Sequence, residues 1–526
     1  MNATPSSEPV PVNTDGILDR LAELRKADAP THGGRVLSYV YDPGLAALDE
    51  LAASAIRSVQ HLNGLDPTTF TSIGVMEREL LTFAGQVLHG DADVVGSVTS
   101  GGTESCTLAV KIGREDWRAR NPRRAPGDRA RIVIPTTAHA AFRKAAGLLD
   151  LDLDLVPVDP ATGVPTAADM IARLGEDVAL VVVSAPAYPH GAVDPVREVA
   201  AAASAQGIAV HVDACVGGWV LPFWEAAGGA DVPDFDFRVP GVTSISADVH
   251  KYGYVPKGTS VLLVRGRDLQ RHQFFSVTDW PGYPVVNATL AGSRSAGPLA
   301  AAWAVTQALG VDGYVALTRR CREATDVLAA QVDQIEGLTV LGSPDGPLLA
   351  VITDESVPED RRVDPHLWAD EVRTLGWVLQ TQPGLVQSDG TRLPHTTHLT
   401  VTPVTADVVD ELAGALVTAA DRVRGTARPA PEQVLAHVLG TAAPGVDPHA
   451  ALAVFDQADA DAVWNIVRGA LLDEGDGGPT VPTRLTPLLS LVEALPPHVS
   501  GRMLVEVVAR ISEPQSAPVE PTASAG

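Results

Sequence analysis

The feature that most restricts the possible folds of this chain is a continuous apolar run at residues 178–184, Val-Ala-Leu-Val-Val-Val-Ser. Such a run is typical of a parallel strand that is buried on both faces of a sheet. A second buried strand is predicted at residues 208–219, after the helical segment 197–205, with an acid, Asp213, at its C-terminal end. Because strands alternate with helices and polar residues follow the strands, we predict an open, mostly parallel α/β sheet with its site at the carboxyl edge.

The 526 residues exceed one ordinary domain, so we expect several structural units. Helical and strand periodicities after the large α/β unit predict a small α+β domain, and short helices broken by Gly and Pro follow a linker. The last residues are rich in Pro, Ser and Ala and are expected to be disordered. The predicted units are an N-terminal arm with helices (1–62), the large domain (63–310), the small α+β domain (311–424), a helical appendage (432–510) and the tail (511–526).

Acidic residues outnumber basic ones, and the formal net charge is −25. A nucleic acid or an anionic membrane binds to a basic protein surface, so neither is expected as a partner. The N-terminus has no signal-peptide pattern, and no window is apolar over the length of a membrane span, which predicts a soluble protein. Three widely spaced cysteines, Cys106, Cys215 and Cys321, form no disulfide framework or zinc pattern, so we expect no metal and a cytoplasmic location.

A lysine, Lys251, stands between small and hydroxyl residues and a glycine-bearing turn in Ser-Ile-Ser-Ala-Asp-Val-His-Lys-Tyr-Gly-Tyr-Val-Pro-Lys-Gly (244–258). A strand predicted at 261–264 follows and places the lysine on a short loop at the rim of the sheet. Such a lysine can form a Schiff base with an aldehyde cofactor, and we expect desolvation and nearby cations to lower its pKa. Taken alone, a lysine at this kind of position is more often a surface residue of a turn.

Two glycines and several hydroxyl residues precede a helix in Thr-Ser-Gly-Gly-Thr-Glu-Ser (99–105). Unpaired backbone amides at the N-terminus of a helix point toward a phosphate, and the helix dipole favours its charge. Gly101, Gly102 and Thr103 are therefore candidates for a phosphate cradle. An ordinary N-cap by Thr103 or Ser105 explains the same residues equally well.

The lysine segment resembles that of the sphingosine-phosphate lyases, a branch of the pyridoxal-phosphate (PLP) dependent group II decarboxylase family. The Thr-Ser-Gly-Gly-Thr-Glu-Ser segment is similar to the cofactor-phosphate motif of that family, and the resemblance covers roughly residues 34–424. It implies a fold-type I, PLP-dependent transferase-like fold with PLP as the cofactor. It also implies that Lys251 is the lysine that binds the cofactor covalently and that His250, next to it, contacts the cofactor.

Three further side chains receive roles from this resemblance. The family's histidine stacks on the pyridine ring, which assigns His139; a helix cap or a surface residue is the alternative. Asp213 is placed against the pyridine nitrogen, where a carboxylate keeps the ring protonated and able to accept electrons; an acid that caps the next turn is the alternative. Cys215 is expected on the same side of the strand as Asp213 and against the ring face opposite His139, where a small core residue would fit as well.

The segment 278–294, which ends in Gly-Ser-Arg, is similar to a family segment that reaches the cofactor of the neighbouring subunit. Within it, Val285 and Asn287 stand where the family has Tyr and Ser. The resemblance implies a homodimer with shared active sites, and it implies a small-molecule amine as the substrate.

The resemblance implies a reaction in which the substrate amine displaces Lys251 to form an external aldimine, after which a bond at the alpha carbon breaks. PLP supports decarboxylation, retro-aldol cleavage and transamination alike, and the sequence does not show which bond is held for cleavage. We expect a carbon–carbon lyase, either a decarboxylase or an aldehyde-lyase similar to the sphingosine-phosphate lyases. An aminotransferase and a non-catalytic scaffold are the alternatives.

One departure from the family pattern concerns the substrate. The family's Asn-Pro-Leu-His loop, whose histidine helps to bind substrate phosphate, reads Asn-Gly-Leu-Asp at residues 63–66. An acid at Asp66 would repel a phosphate dianion, which favours an amino acid or a different amino alcohol; an exposed loop acid is the alternative. Tyr41 and Lys257 match the family and are further candidates for substrate contact.

Overall fold

A computed structural model of the chain describes residues 14–125, 127–430, 433–434, 457–475, 478–480 and 482–514. The first residues of the predicted N-terminal arm and most of the predicted disordered tail lie outside this part of the chain. Within it, no helix combines the length and the apolar character that crossing a membrane requires. The cytoplasmic location stays a prediction.

A seven-stranded sheet forms the centre of the large domain. Its strands are β1 (Val94–Thr99), β2 (Arg131–Pro135), β3 (Asp152–Val156), β4 (Val178–Ser184), β5 (Ala209–Asp213), β6 (Ser244–Ala247) and β7 (Ser260–Arg265). Their order is β1-β7-β6-β5-β4-β2-β3, and within this sheet β7 runs against its two neighbours while the other pairs are parallel. The carboxyl ends of all strands but β7 therefore meet at one edge, which confirms the predicted mostly parallel α/β sheet.

Helices and turns cover both faces of this sheet. The helices up to the end of β7 and just beyond it are α1 (Thr14–Arg25), α2 (Ala46–Val59), α3 (Thr71–Val87), α4 (Gly102–Arg120), α5 (Ala140–Leu149), α6 (Ala167–Ile171), α7 (Val196–Ala205) and α8 (Arg267–Arg271). Side chains of β4 alternate between two apolar clusters: Val181 and Val183 pack in one, and Leu180 and Val182 in the other. Burial on both faces explains why every position of this strand before its last, Ser184, is apolar.

A hairpin and a long helix lead out of the large domain. The hairpin strands are β8 (Phe275–Val277) and β9 (Val285–Asn287), and the helix is α9 (Gly297–Gln334). Gly310 breaks α9, with φ of 54° and ψ of −170°, a conformation outside the helical region. The break divides α9 into two helical parts, one before and one after Gly310.

The small domain is a four-stranded antiparallel sheet, in the order β10-β11-β15-β12, packed against helices. Its elements are β10 (Leu338–Val340), β11 (Leu348–Thr353), α10 (Pro365–Thr374), β12 (Gln380–Gln382), the short pair β13 (Leu385–Val386) and β14 (Arg392–Leu393), β15 (Thr396–Thr400) and α11 (Val409–Val423). Just ahead of β12, Val378 forms an isolated parallel bridge with Val36 of the N-terminal segment.

The C-terminal segment has an apolar cluster of its own and docks on the small domain. Its elements are α12 (Ala460–Leu471), β16 (Asp473–Gly475), β17 (Gly478–Thr480), α13 (Thr486–Ala494) and α14 (Pro497–Ile511). Asp370 of α10 accepts hydrogen bonds from the amides of Leu485 and Thr486, and Glu493 of α13 pairs with Arg428. The prediction of helices alone missed the β16–β17 hairpin, since strands this short leave no periodicity in the sequence.

Candidate functional site

A cavity of about 370 Å³ lies at the edge where the carboxyl ends of the strands meet. β5 ends at Asp213, β6 leads into the loop that holds Lys251, and β1 leads into the glycines before α4. The topology thus brings distant parts of the chain to one edge, as expected for an open α/β sheet. Every residue predicted to bind the cofactor is among those that line the cavity: Ser100, Gly101, Gly102, Thr103, Glu104, Cys106, His139, Ser184, Pro186, Tyr188, Asp213, Cys215, Val216, Asp248, His250 and Lys251.

Lys251 forms an ion pair inside this cavity. Its Nζ lies 3.1 Å from Oδ2 of Asp248, which is buried. Burial lowers the pKa of Lys251, but the charges of Asp248 and then Tyr41 raise it by more, so that this pKa lies well above its usual range. The expectation that desolvation and nearby cations lower this pKa is wrong, because the carboxylate three residues before the lysine outweighs them.

Asp213 closes β5 and is almost fully buried. Its Oδ1 accepts a hydrogen bond of 3.1 Å from the backbone amide of Cys215, so the side chain also fills the alternative role of a turn cap. Burial raises the pKa of Asp213, but the charges of His139 and Lys251 lower it by more, and the net pKa lies below the usual range. An ionised carboxylate at neutral pH suits a partner for a protonated pyridine nitrogen.

The N-terminus of α4 faces the cavity and begins at Gly102. A Cβ at this position would lie 2.7 Å from Oδ2 of Asp248 and 2.9 Å from Sγ of Cys215, so a larger residue would displace both. The close approach of backbone to side chains is what a glycine at a ligand site allows. The helix dipole and the amides of the first turn therefore meet the cavity without an intervening side chain.

Ser105 and Thr103 do not cap this helix: among the described residues no side chain accepts a capping hydrogen bond at the start of α4. The hydroxyl of Ser105 instead lies 2.7 Å from the Thr99 hydroxyl and 3.0 Å from the Ser260 hydroxyl, which ties α4 to β1 and β7. The alternative interpretation of the glycine segment as an ordinary N-cap is therefore wrong. The first turn of α4 is available to an anion.

His139 stands at the N-cap of α5. Its Nδ1 accepts a hydrogen bond of 3.2 Å from the backbone amide of Ala141, which leaves the ring proton on Nε2. The imidazole is exposed and lines the cavity. His139 therefore caps a helix and also places its ring at the edge of the cavity predicted to hold the cofactor.

Cys215 lies in the turn after β5 rather than on the strand. β5 ends at Asp213, so strand alternation does not position Cys215, but the two side chains do lie on the same side, with Sγ of Cys215 within 4.8 Å of the Asp213 carboxylate in one cavity wall. Its Sγ lies 3.2 Å from Oγ of Ser246 in β6, and the residue is buried at the wall of the cavity. A contact with the cofactor ring stays a prediction.

Two of the three predicted substrate contacts, Tyr41 and Lys257, adjoin the Lys251 site. Nζ of Lys257 donates a hydrogen bond of 3.1 Å to the carbonyl oxygen of His250 and lies 4.6 Å from the ring centre of Tyr41. Burial and then the charge of Lys251 lower the pKa of Lys257 to about 8. The two residues thus place a cation and an aromatic ring next to the loop of the reactive lysine.

Asp66, the third of these candidates, is not brought to Lys251. It lines a separate cavity of about 890 Å³ together with Asn287 and Arg294. Its carboxylate accepts hydrogen bonds from the hydroxyls and amides of Thr68 and Thr69, which lower its pKa to about 2. Within this chain the structure therefore agrees with the alternative interpretation, in which Asp66 is a loop acid and not a residue that contacts the substrate.

Sequence patterns did not single out three residues of the Lys251 cavity: Asp248, Tyr188 and Cys106. The signal for Asp248 is its place in the lysine segment, one turn before Lys251. Tyr188 follows β4, and its hydroxyl donates a hydrogen bond of 2.5 Å to Oε1 of Gln380 in the small domain. Cys106 directly follows the glycine segment, but no sequence signal places its thiol beside Cys215, which lies far along the chain.

The arrangement fits PLP. An amine at Lys251 and a carboxylate at Asp213 stand in one cavity, where they can hold the aldehyde and the pyridine nitrogen of the cofactor. Gly102 leaves space for a phosphate at the N-terminus of α4, since a Cβ there would clash with Asp248 and Cys215. The cavity volume also lies within the range of small-molecule sites.

Two family models match the chain. The pyridoxal-dependent decarboxylase conserved domain matches residues 70–349. A model described as the C-terminal putative HTH domain of pyridoxal-dependent enzymes matches residues 432–510, the segment predicted as a helical appendage. The first match confirms the prediction of PLP as the cofactor.

Among known proteins, the chain is similar to two sphingosine-1-phosphate lyases. That of Dictyostelium discoideum is 40% identical over 56% of this chain and 54% of its own length, and that of Arabidopsis thaliana is 34% identical over 80% and 75%. The chain thus spans about half the length of the first of these relatives.

Solved structures give the same fold. The sphingosine-1-phosphate lyase of Burkholderia pseudomallei has a TM-score of 0.72 and 33% identity, covering 81% of this chain and 93% of that one. The glutamate decarboxylase of Lactobacillus brevis has a TM-score of 0.68 at 20% identity, covering 81% and 96%. The predicted fold-type I class is confirmed.

Proposed function

Since this chain belongs to the pyridoxal-dependent decarboxylase family, we propose that it is a PLP-dependent lyase that breaks a carbon–carbon bond of a phosphorylated amino alcohol. The proposal rests on the meeting of Lys251, Asp213 and the first turn of α4 in one cavity. The names of the relatives, sphingosine-1-phosphate lyases, support an aldehyde-lyase over a carboxy-lyase.

When bound, PLP supplies the electron sink that allows a bond next to the substrate amine to break. Asp213, whose surroundings favour its ionised form, would hold a proton at the pyridine nitrogen of the bound cofactor. Lys251 would hold the cofactor aldehyde, and its Nζ lies 3.1 Å from the Asp248 carboxylate. The N-terminus of α4 would hold the cofactor phosphate, and His139 would orient the ring from the cavity wall.

A phosphate on the substrate is compatible with this cavity. The case against phosphate depends on Asp66, and that carboxylate lies in a separate cavity within this chain. Lys257 lies beside Tyr41 and His250, where its ammonium can bind an anionic group of the substrate. With a pKa of about 8, Lys257 is charged at neutral pH and suits this role.

The proposal includes a homodimer. Large apolar side chains on and around the β8–β9 hairpin are exposed to solvent: Phe275, Trp280, Tyr283, Val286 and Leu290. A group of exposed large apolar side chains on one short hairpin and the residues around it supports a subunit interface. The same hairpin lines the Asp66 cavity, so a second subunit that covers it would complete that cavity as well.

The proposed reaction is tested with the purified, PLP-loaded protein and a panel of sphingosine 1-phosphate, other phosphorylated amino alcohols and common amino acids. We expect a fatty aldehyde from the phosphorylated long-chain amino alcohol, and no product from the Lys251→Ala variant. Carbon dioxide from an amino acid would instead identify a carboxy-lyase. Keto acids as the only products would identify an aminotransferase and contradict the lyase proposal.

A further inference from the structure

Two of the three cysteines meet Asp213 in the wall of the cavity. Sγ of Cys106, Sγ of Cys215 and a carboxylate oxygen of Asp213 all lie within 4.8 Å of one another, and all three residues are buried. Cys106 comes from the first turns of α4, and the other two from the end of β5 and the turn after it. The third cysteine, Cys321, lies elsewhere, and its thiol donates a hydrogen bond to the carbonyl oxygen of Val401.

A fourth oxygen borders this cluster. Oγ of Ser246 lies 3.2 Å from Sγ of Cys215 and 4.0 Å from Sγ of Cys106. Nε2 of His211 lies 3.1 Å from the same hydroxyl and fixes its position. Two thiols, a carboxylate and a hydroxyl therefore surround one point, which is a donor set that suits a tetrahedral ion.

The electrostatic surroundings of the cluster favour a cation. The carboxylate of Asp213 lies within the cluster, and its negative charge attracts a dication, which replaces the protons of the two thiols when it binds. Lys251 opposes this attraction, but its charge is matched by Asp248 at 3.1 Å.

We propose that Cys106, Cys215 and Asp213 form a binding site for a soft divalent cation such as zinc or cadmium. Thiolate ligands select such ions, and the Ser246 hydroxyl or a water completes four-fold coordination. One dication binds, two thiol protons leave to solvent, and no electron is transferred. Bonds of about 2.3 Å to sulfur and about 2.0 Å to oxygen require the ligands to approach by about 1 Å at most.

The cation and PLP exclude each other at this site. This part of the inference rests on the proposed function, in which Asp213 holds the proton of the pyridine nitrogen. A carboxylate that coordinates a dication cannot also accept that proton, so the ion blocks the cofactor and the cofactor blocks the ion. Cys106 has no part in the proposed reaction, so a substitution at Cys106 tests the cation site without removing a residue of that reaction.

The test is a cadmium titration of the full-length chain after a carbonyl reagent and dialysis have removed PLP. We expect one cadmium per chain, seen as a thiolate-to-cadmium charge-transfer absorption in the ultraviolet, and no such signal from the PLP-loaded protein. Cys106→Ser should weaken cadmium binding by at least about 10-fold. Cys321→Ser, the matched control, should bind cadmium as the parent chain does.

Three results would overturn the inference: no charge-transfer band, unchanged binding by Cys106→Ser, or equal loss in Cys321→Ser. A Cys215→Ser variant and the circular dichroism of each variant separate loss of a ligand from loss of fold. If cadmium binds as tightly to the PLP-loaded chain, the exclusion is wrong and so is the place of Asp213 in the proposed function. If the cadmium site is found but the substrate panel gives no aldehyde, the lyase proposal alone fails.

Discussion

At the scale of single residues, the Asp248–Lys251 pair decides the chemistry of the site. An amine reacts with an aldehyde only when it is neutral, yet the carboxylate at 3.1 Å holds the pKa of Lys251 well above its usual range. The pair therefore keeps a proton on the nitrogen of Lys251, and the amine must lose this proton before it can react with an aldehyde.

Asp248→Asn tests this role. Without the carboxylate, the pKa of Lys251 should fall, because the burial that opposes protonation is no longer outweighed. The midpoint of the pH dependence of PLP uptake, followed by absorbance, should move down by about 1 to 3 pH units. Asp66→Asn, in the separate cavity, should leave this midpoint where it is. An unchanged midpoint in Asp248→Asn would show that Asp248 does not control the lysine.

At the scale of elements, the break in α9 turns the chain from the large domain into the small one. Gly310 adopts φ of 54° with ψ of −170°, and no atom lies within 4 Å of the place a Cβ would take. Space is therefore no obstacle to a larger residue there, and the backbone conformation alone requires glycine.

Gly310→Ala should lower the free energy of unfolding by about 1 to 3 kcal/mol, because an alanine is strained in this conformation. Gly414→Ala in α11 is the matched control: this glycine is exposed, has helical geometry and also has open space around it. That substitution should raise the free energy of unfolding by about 0.5 to 1 kcal/mol. Urea denaturation measures both, and two changes of the same sign would contradict the assignment of strain to Gly310.

Most of the elements and the centre of the site could be predicted from sequence, because their signals are local. A few consecutive residues are enough to recognise the apolar run of β4, the glycine segment at the start of α4 and the lysine loop. The direction of the Lys251 pKa could not be predicted, since it depends on where the Asp248 carboxylate points. The contact of Cys106 with Cys215 has no local signal either, because only the packing of α4 against β5 and β6 creates it.

At the scale of the whole molecule, buried histidines make stability depend on pH. Burial lowers the pKa of His190, His211 and His366 to about 4 and that of His398 to about 3. In the unfolded chain these groups take up protons near pH 6.5, so acid favours unfolding. Asp194 acts in the opposite sense, because burial raises its pKa to about 7 and the folded state holds that proton.

The free energy of unfolding should therefore fall as the pH decreases from about 6.5 to about 4. On unfolding, the four histidines take up about four protons and Asp194 releases about one, so the chain takes up about three protons in total. The free energy of unfolding therefore changes by about 4 kcal/mol per pH unit where its pH dependence is steepest. Urea denaturation at a series of pH values measures this slope. His398→Gln should reduce the net proton uptake on unfolding by about one proton and lower the slope accordingly. An unchanged slope would contradict the assignment of a lowered pKa to His398.

The proposed homodimer is tested at the β8–β9 hairpin. Val286 is 60% exposed, and Val286→Asp places a charge in the proposed interface. We expect the native mass, measured by light scattering, to fall from two chains to one. Val327→Asp on α9 is the matched control, because that valine is 44% exposed and lies outside the hairpin. A dimer that survives Val286→Asp would place the interface elsewhere.

Glu493 of α13 is 1% exposed at its side chain and lies 2.9 Å from Arg428 and 2.8 Å from Arg392. One carboxylate thus pairs with two guanidinium groups that precede it in the chain, one in the small domain and one in the linker after α11. A chain truncated just ahead of α13 would keep both arginines and lose the anion between them, so the charge of the largely buried Arg428 would be left uncompensated. A shortened chain made for expression should therefore retain the final helices.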